Sequence, residues 1–155
     1  MRGKKAKKRD IIPDPKFSSV TVAKLINHIM SRGKKSVAQK IIYQAFDIIS
    51  QKTSKNPLDI FDLALKNVGP DVEVRTKRVG GANYQIPFPV RGDRKLTLSL
   101  RWIIGAAKTK KGQPMAEKLA SELMAAANEE GAAIKKKEEV FKSAQANKAF
   151  AHFAR

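Results

Sequence analysis

The amino-acid sequence predicts a mainly α-helical protein: a six-helix domain with one protruding two-stranded β-ribbon at about residues 72–90 and a disordered basic N-terminal arm. Three observations carry that reading. Apolar residues recur at helical spacing on both sides of residues 70–91. Between them, VRTKRVGGANYQIPFPVR alternates about a pair of glycines, the pattern of a hairpin. At the N-terminus, Arg2, Lys4, Lys5, Lys7, Lys8 and Arg9 precede any acid, and Pro13 and Pro15 then bar a helix.

The elements follow in order. Residues 1–16 read as an arm that orders only against a polyanion, and residues 17–155 as the body of a single domain. A first helix starts at an N-cap, Ser18 or Ser19, carries Val22, Leu25, Ile26 and Ile29 on one face, and stops near Gly33. The second has a wide stripe of Val37, Ile41, Ile42, Ala45, Phe46, Ile48 and Ile49. Asn56 caps a third, with Pro57 in its first turn and Asp59 beside the positive end of the dipole; Gly69-Pro70 closes it.

In the ribbon, a three-residue loop of Gly80-Gly81-Ala82 would bring Val72, Val74 and Thr76 to the same face as Tyr84, Ile86, Phe88 and Val90. Val74 would then oppose Phe88, Arg78 would oppose Tyr84, and Glu73, Arg75 and Lys77 would point the other way. Pro87 and Pro89 share parity, so both missing N–H groups can face away from the partner strand, and the arm stands alone. Residues 95–107 fit two patterns. Leu96, Leu98, Leu100 and Trp102 alternate like a strand, whereas Leu96, Leu100, Ile103 and Ala107 fit a helix, which the length favours. After the basic loop KTKKG, Pro114 opens an Ala-rich fifth helix that ends at Gly131, and a sixth runs from about Ala132 towards Phe150.

Charge narrows the function. With 155 residues the chain can bury well over half of its unfolded surface, and 42% of them are apolar. Yet 32 Lys and Arg face 14 Asp and Glu, a net charge of +18. Self-repulsion on that scale opposes compaction, so a polyanionic partner is expected. No stretch approaches the roughly 20 apolar residues of a spanning helix, so a membrane is not the partner. The charged N-terminus lacks an apolar run behind it, and a cytoplasmic protein is expected.

Catalytic chemistry finds little to stand on. The absence of cysteine removes thiolate metal sites and cysteine nucleophiles together. RGKKS at 32–36 imitates the tail of a phosphate-binding loop, but His28 stands where that motif needs glycine. Ser31 and Lys34 match a serine–lysine spacing short enough to arise by chance. His28 reads as a core-edge or surface residue, His152 lacks nearby ligands, and Asp59 and Asp62 suit a helix N-terminus. The expectation is no enzyme, no cofactor and no metal.

Basic residues instead fall where the chain turns or projects, which suits several separate phosphate contacts. Trp102 has two readings, core packing or stacking on an unpaired base; Tyr84 and Phe88 read as covers for the ribbon's own apolar face. Composition does not separate RNA from DNA, and an architectural DNA-binding protein using the ribbon is the alternative.

NHIMSRGKKSVAQKII, NVGPDVEVRTKRVGGANYQIP and RWIIGAA resemble the small-subunit ribosomal protein seven family in its bacterial form. The likeness runs in order over nearly the whole chain. It implies a helical domain with a hairpin arm, and binding to the 3′ major domain of small-subunit ribosomal RNA during assembly of the head. It further implies a place near messenger RNA and exit-site transfer RNA, among neighbouring head and platform proteins. Carried onto this chain, ribosomal RNA contacts would come from Arg2, Lys4, Lys5, Lys7, Lys8, Arg9, Lys34 and Lys35, then from Arg75, Lys77, Arg91, Arg94, Lys95 and Arg101, and from Lys108, Lys110 and Lys111. The ribbon tip, with Arg78, Gly80, Gly81 and Tyr84, would face the transfer and messenger RNA. Two departures stand out: Pro89 and Gly92-Asp93 replace an acidic residue and a more basic run, and the chain ends AHFAR.

Overall fold

The computed structural model describes residue 3 and residues 9–154. Of the predicted arm, Arg2, Lys4, Lys5, Lys7 and Lys8 lie outside the described residues. Six α-helices, a hairpin and a short 3₁₀ helix follow one another: α1 (Val20–Ile29), α2 (Lys35–Thr53), α3 (Pro57–Val68), β1 (Val72–Val79), β2 (Ala82–Pro89), α4 (Gly92–Thr109), α5 (Met115–Ala127), α6 (Ala132–Ala146) and the 3₁₀ helix (Lys148–Ala154).

Local chemistry sets the first boundaries. The buried Asp14 carboxylate accepts the backbone N–H groups of Lys16 at 3.1 Å and Phe17 at 3.2 Å, and the Tyr43 hydroxyl at 2.8 Å. That turn seats the Phe17 ring against Phe46, 5.1 Å away, and so ties the N-terminal segment to α2. Ser19 caps α1 by accepting from Val22 N at 3.4 Å, and Asn56 caps α3 by accepting from Leu58 N at 3.2 Å, with Pro57 in the first position. Along α2 the buried stripe is Ala38, Ile42, Ala45, Phe46 and Ile49. Val37 is 49% exposed, because Ala38 takes the inward position at the start of that helix.

Helix α5 is the hub of the packing, in contact with α2, α3, α4 and α6. Its Leu119, Ala120, Leu123 and Ala126 are fully buried, and the alanines let neighbouring backbones approach closely. Asn67 on α3 donates its amide to the Ala126 and Ala127 carbonyls, both at 3.0 Å, at the end of α5, where Ala126 O also accepts Glu129 N–H at 3.2 Å. That end comes at Ala127, earlier than predicted. Glu129 turns left-handed at φ +60°, and Gly131, at φ +97°, opens α6 instead of closing α5. The ambiguous stretch at 95–107 is helix. Its strand-like alternation arises because α4 packs against α1, α3, α5 and α6, so that Leu98, Ser99 and Leu100 are all buried in succession.

The hairpin differs from expectation in register. Val79 pairs with Ala82, so the loop has two residues, Gly80 and Gly81, not three. Both have positive φ, +57° and +91°, as a type I′ turn requires, and that turn matches the twist of the strands. Removing one loop residue exchanges the faces. Val74 opposes Pro87 and Glu73 opposes Phe88, while Lys77, not Arg78, opposes Tyr84. Glu73, Arg75 and Lys77 therefore share a face with Tyr84, Ile86 and Phe88. The prolines stay compatible with the ladder. Val90 N donates to Asp71 O at 2.9 Å, and counting by alternation from that bonded pair puts Pro89 and Pro87 at non-bonded positions. Among the described residues the ribbon stays two-stranded, as expected, with β1 packed on α6 and β2 on the 3₁₀ helix.

Candidate nucleic-acid interface

The predicted basic residues separate into two groups, those held by carboxylates or carbonyls of the fold and those displayed at element ends. The α1–α2 turn belongs to the second. Arg32 and Gly33 adopt φ +52° and +74°, and Arg32, Lys34 and Lys35 are exposed. Lys34 is the N-cap residue of α2 and Lys35 its first residue, with no acid in the first turn. Cations at the positive end of a helix dipole work against folding, whereas an anion there is drawn by both the lysines and the unpaired N–H groups. Arg101 is exposed on α4 beside α1. Burial, and then the charge of Arg101, hold the His28 imidazole below its ordinary value of 6.5, which makes His28 the core-edge residue expected. Arg9, Lys108 and Lys111 are likewise exposed.

Lys110 belongs to the first group. Its ammonium lies 2.9 Å from Glu122 Oε2 and donates to Ser121 Oγ at 3.0 Å. Glu122 is 1% exposed and accepts Ala133 N–H at 2.9 Å through its other oxygen. One carboxylate thus joins the end of α4, the middle of α5 and the first turn of α6.

The ribbon root is built around two acids. Asp71 accepts from Lys95 Nζ at 2.7 Å, and that hydrogen bond and charge hold its carboxyl below the usual value. Glu73 is nearly buried. Its Oε1 accepts Nε and Nη2 of Arg75, and its Oε2 lies 3.0 Å from both Nε and Nη2 of Arg94. Burial pushes this carboxyl up, but the hydrogen bonds and charges of the two arginines together outweigh it and hold the group below its ordinary value. Arg75 also lies over the Phe88 ring, 5.3 Å from its centroid. Arg91, beside this group, is exposed at the N-cap of α4.

Toward the tip, the 3₁₀ helix covers the face that bears Tyr84. The Tyr84 ring lies 5.0 Å from Phe150 and 5.8 Å from Phe153, and Lys77 Nζ donates to Phe153 O at 2.9 Å. Arg78, Gly80 and Gly81 remain exposed. Trp102 packs, half-buried, against the core, and its edge lines a cleft of about 400 Å³ with Arg94 and Lys136.

The sequence reading missed Asp71, Glu73 and Glu122 as organisers. The first two were detectable, since DVEVR places two acids and then a base at alternate positions, on one strand face. Glu122 was not, because its partners Lys110 and Ala133 lie on other helices. Among the described residues no group of three or more histidines, aspartates and glutamates is placed to hold a metal ion, and no helix is long and apolar enough to cross a membrane.

Comparison with known proteins agrees with this architecture. Residues 1–148 match the family Ribosomal protein S7p/S5e. The chain is 58% identical over 153 residues to small ribosomal subunit protein uS7 of Thermotoga maritima, covering 99% of both chains. It is 55% identical over 153 residues to the protein of that name in Fervidobacterium nodosum, again over 99% of each, and 54% over 146 residues to that in Desulforamulus reducens, over 94% of each. A match to this family over nearly the whole length, on a helical body with one hairpin and a basic surface, shows that the chain belongs to the ribosomal protein S7p/S5e family of the small ribosomal subunit.

Proposed function

We propose that this chain is a structural, non-catalytic protein of the cytoplasmic small subunit that binds the 3′ major domain of its ribosomal RNA and helps nucleate assembly of the head. The reading extends to a place beside messenger RNA and exit-site transfer RNA for the exposed ribbon tip at Arg78, Gly80 and Gly81, with neighbouring small-subunit proteins alongside. The observation that carries it is the placement of cations that meet no carboxylate among the described residues. Arg32, Lys34 and Lys35 stand at the positive end of α2, and Arg91, Arg101, Lys108 and Lys111 project from α4 and its loop. Cations spread over separate turns suit a folded polyanion, whose phosphates position the protein while shape selects the site. The architectural DNA alternative is less well supported, because the ribbon face with Lys77 and Tyr84 lies under the 3₁₀ helix and is not open to a groove.

Titration of the purified protein with a transcript of the 3′ major domain, against equal-length duplex DNA as competitor, tests the proposal. Binding that survives excess DNA and weakens steeply with salt is the expected result. Equal competition by the duplex would reduce the charge to a generic attraction and return the lead to the DNA reading.

A further inference from the structure

We propose that Glu73 is a positioning residue for RNA binding: a carboxylate that locks Arg75 and Arg94 into a fixed two-guanidinium cradle for a backbone phosphate. The inference rests on the RNA-binding reading above.

Glu73 is 7% exposed in a chain of net charge +18, between two arginines that would repel one another without it. If the ribbon root served only to supply positive charge, this carboxylate would subtract from it. Its geometry serves orientation. Each oxygen takes the Nε and Nη2 edge of one guanidinium, Arg75 on Oε1 and Arg94 on Oε2. A guanidinium carries five N–H donors, so each arginine keeps its Nη1 edge for another acceptor. Among the described residues no acceptor meets either of those edges. The Arg75 and Arg94 side chains are 56% and 43% exposed, so solvent and ligand reach them while the carboxylate behind stays covered.

The Phe88 ring under Arg75 fixes the plane of that guanidinium as well. Glu73 and Phe88 are directly paired across the hairpin, so the two-residue Gly80-Gly81 loop brings brace and platform to one place. Arg94, in the first turn of α4, arrives from the other element. The cradle therefore forms only when ribbon and helix are docked. A phosphate suits it because planar guanidiniums recognise paired oxygens through two parallel N–H bonds. An arginine already held in place loses less side-chain freedom when it binds.

The test compares the full chain with Glu73→Gln, Arg75→Lys and the double variant, by titration with the 3′ major domain transcript at fixed salt. Glu73→Gln raises the net positive charge by one, so simple electrostatics expects tighter binding; the brace expects affinity about tenfold weaker. Arg75→Lys keeps the charge and leaves Glu73 intact, yet loses the fork and should weaken binding similarly. Because both act on one cradle, the double variant should fall little further than either alone. Glu73→Asp should recover part of the loss. Wild-type or tighter binding by Glu73→Gln overturns the inference while leaving RNA binding standing. Should Glu73→Gln fail to fold, wild-type affinity in Arg75→Lys overturns it equally. A wild-type chain that does not bind the transcript overturns the functional proposal itself.

Discussion

Glu122 carries the most to lose from a single substitution. Replacing it by alanine strands the buried Ala133 N–H, whose only partner among the described residues is Glu122 Oε1 at 2.9 Å. Orphaning a buried donor costs about 1–3 kcal/mol. Losing a carboxylate beside the first turn of α6 adds about 0.3–1 kcal/mol. Lys110 is also released, but its side chain is 30% exposed and can turn to water, which keeps that contribution below about 1 kcal/mol. The sum is about 1–5 kcal/mol, which for a chain of this length lowers Tm by about 3–20 °C. Thermal unfolding followed by circular dichroism measures it. Glu122→Gln separates the parts, because the amide oxygen still accepts from Ala133 while the charge facing Lys110 is gone. It should cost about a third as much as the alanine change. If Glu122→Gln proved as damaging as Glu122→Ala, the ion pair with Lys110 would dominate and the capping argument would be refuted. If Glu122→Ala melted with the wild type, the three-helix junction would have no energetic role.

Three further outcomes are expected. Tyr84→Ala removes two ring contacts worth about 0.5–1.5 kcal/mol each, so limited proteolysis should cleave the chain near residues 148–154 sooner while the helical signal is kept. Gly69→Ala places a Cβ 2.6 Å from Lys95 Cε and 3.1 Å from the Leu65 carbonyl; the lysine must swing off Asp71, and exchange at Val90 N–H should rise as the ribbon root loosens. Acid should weaken the fold through Asp71 and Glu73, whose ordinary values of 3.8 and 4.5 are both lowered in the native state. The unfolded chain then takes up protons first, so this stability is present above about pH 4.5 and is lost as pH falls through the lowered native values; urea midpoints across that range should fall less steeply in Glu73→Gln.

Local chemistry made much of this fold legible. Ser19 and Asn56-Pro57 announce their helices because a cap acts within three residues of itself, and Val22, Leu25, Ile26 and Ile29 mark the buried face of α1 by spacing alone. The ribbon's existence was equally plain, but its register depended on whether Ala82 belongs to the loop or to the strand. That one residue decides which side chains share a face. With the three-residue loop, Glu73 and Arg75 point away from Phe88; with the two-residue turn they stand beside it, and the arginine cradle appears. Lys110 shows the other limit. In KTKKG it is indistinguishable from Lys108 and Lys111, and only the packing of α4 on α5 brings it to Glu122.

The separation of the cations has a physical logic. Asp71, Glu73 and Glu122 each hold particular lysines and arginines, and the contacts to Arg94, Lys95 and Lys110 brace one part of the chain against another, while Arg75 meets Glu73 within β1. Arg32, Lys34 and Lys35 do the opposite, massing positive charge where α2 already presents its positive end. Folding alone gains nothing from that arrangement. Neutralising the lysines at 34 and 35 should therefore leave the protein at least as stable while flattening the salt dependence of RNA binding by about two counterions, whereas neutralising Lys110 should do the reverse. On that expectation a lysine serves the fold at 110, where the buried Glu122 carboxylate meets it, and a polyanion at 34 and 35, where the first turn of α2 carries no acid.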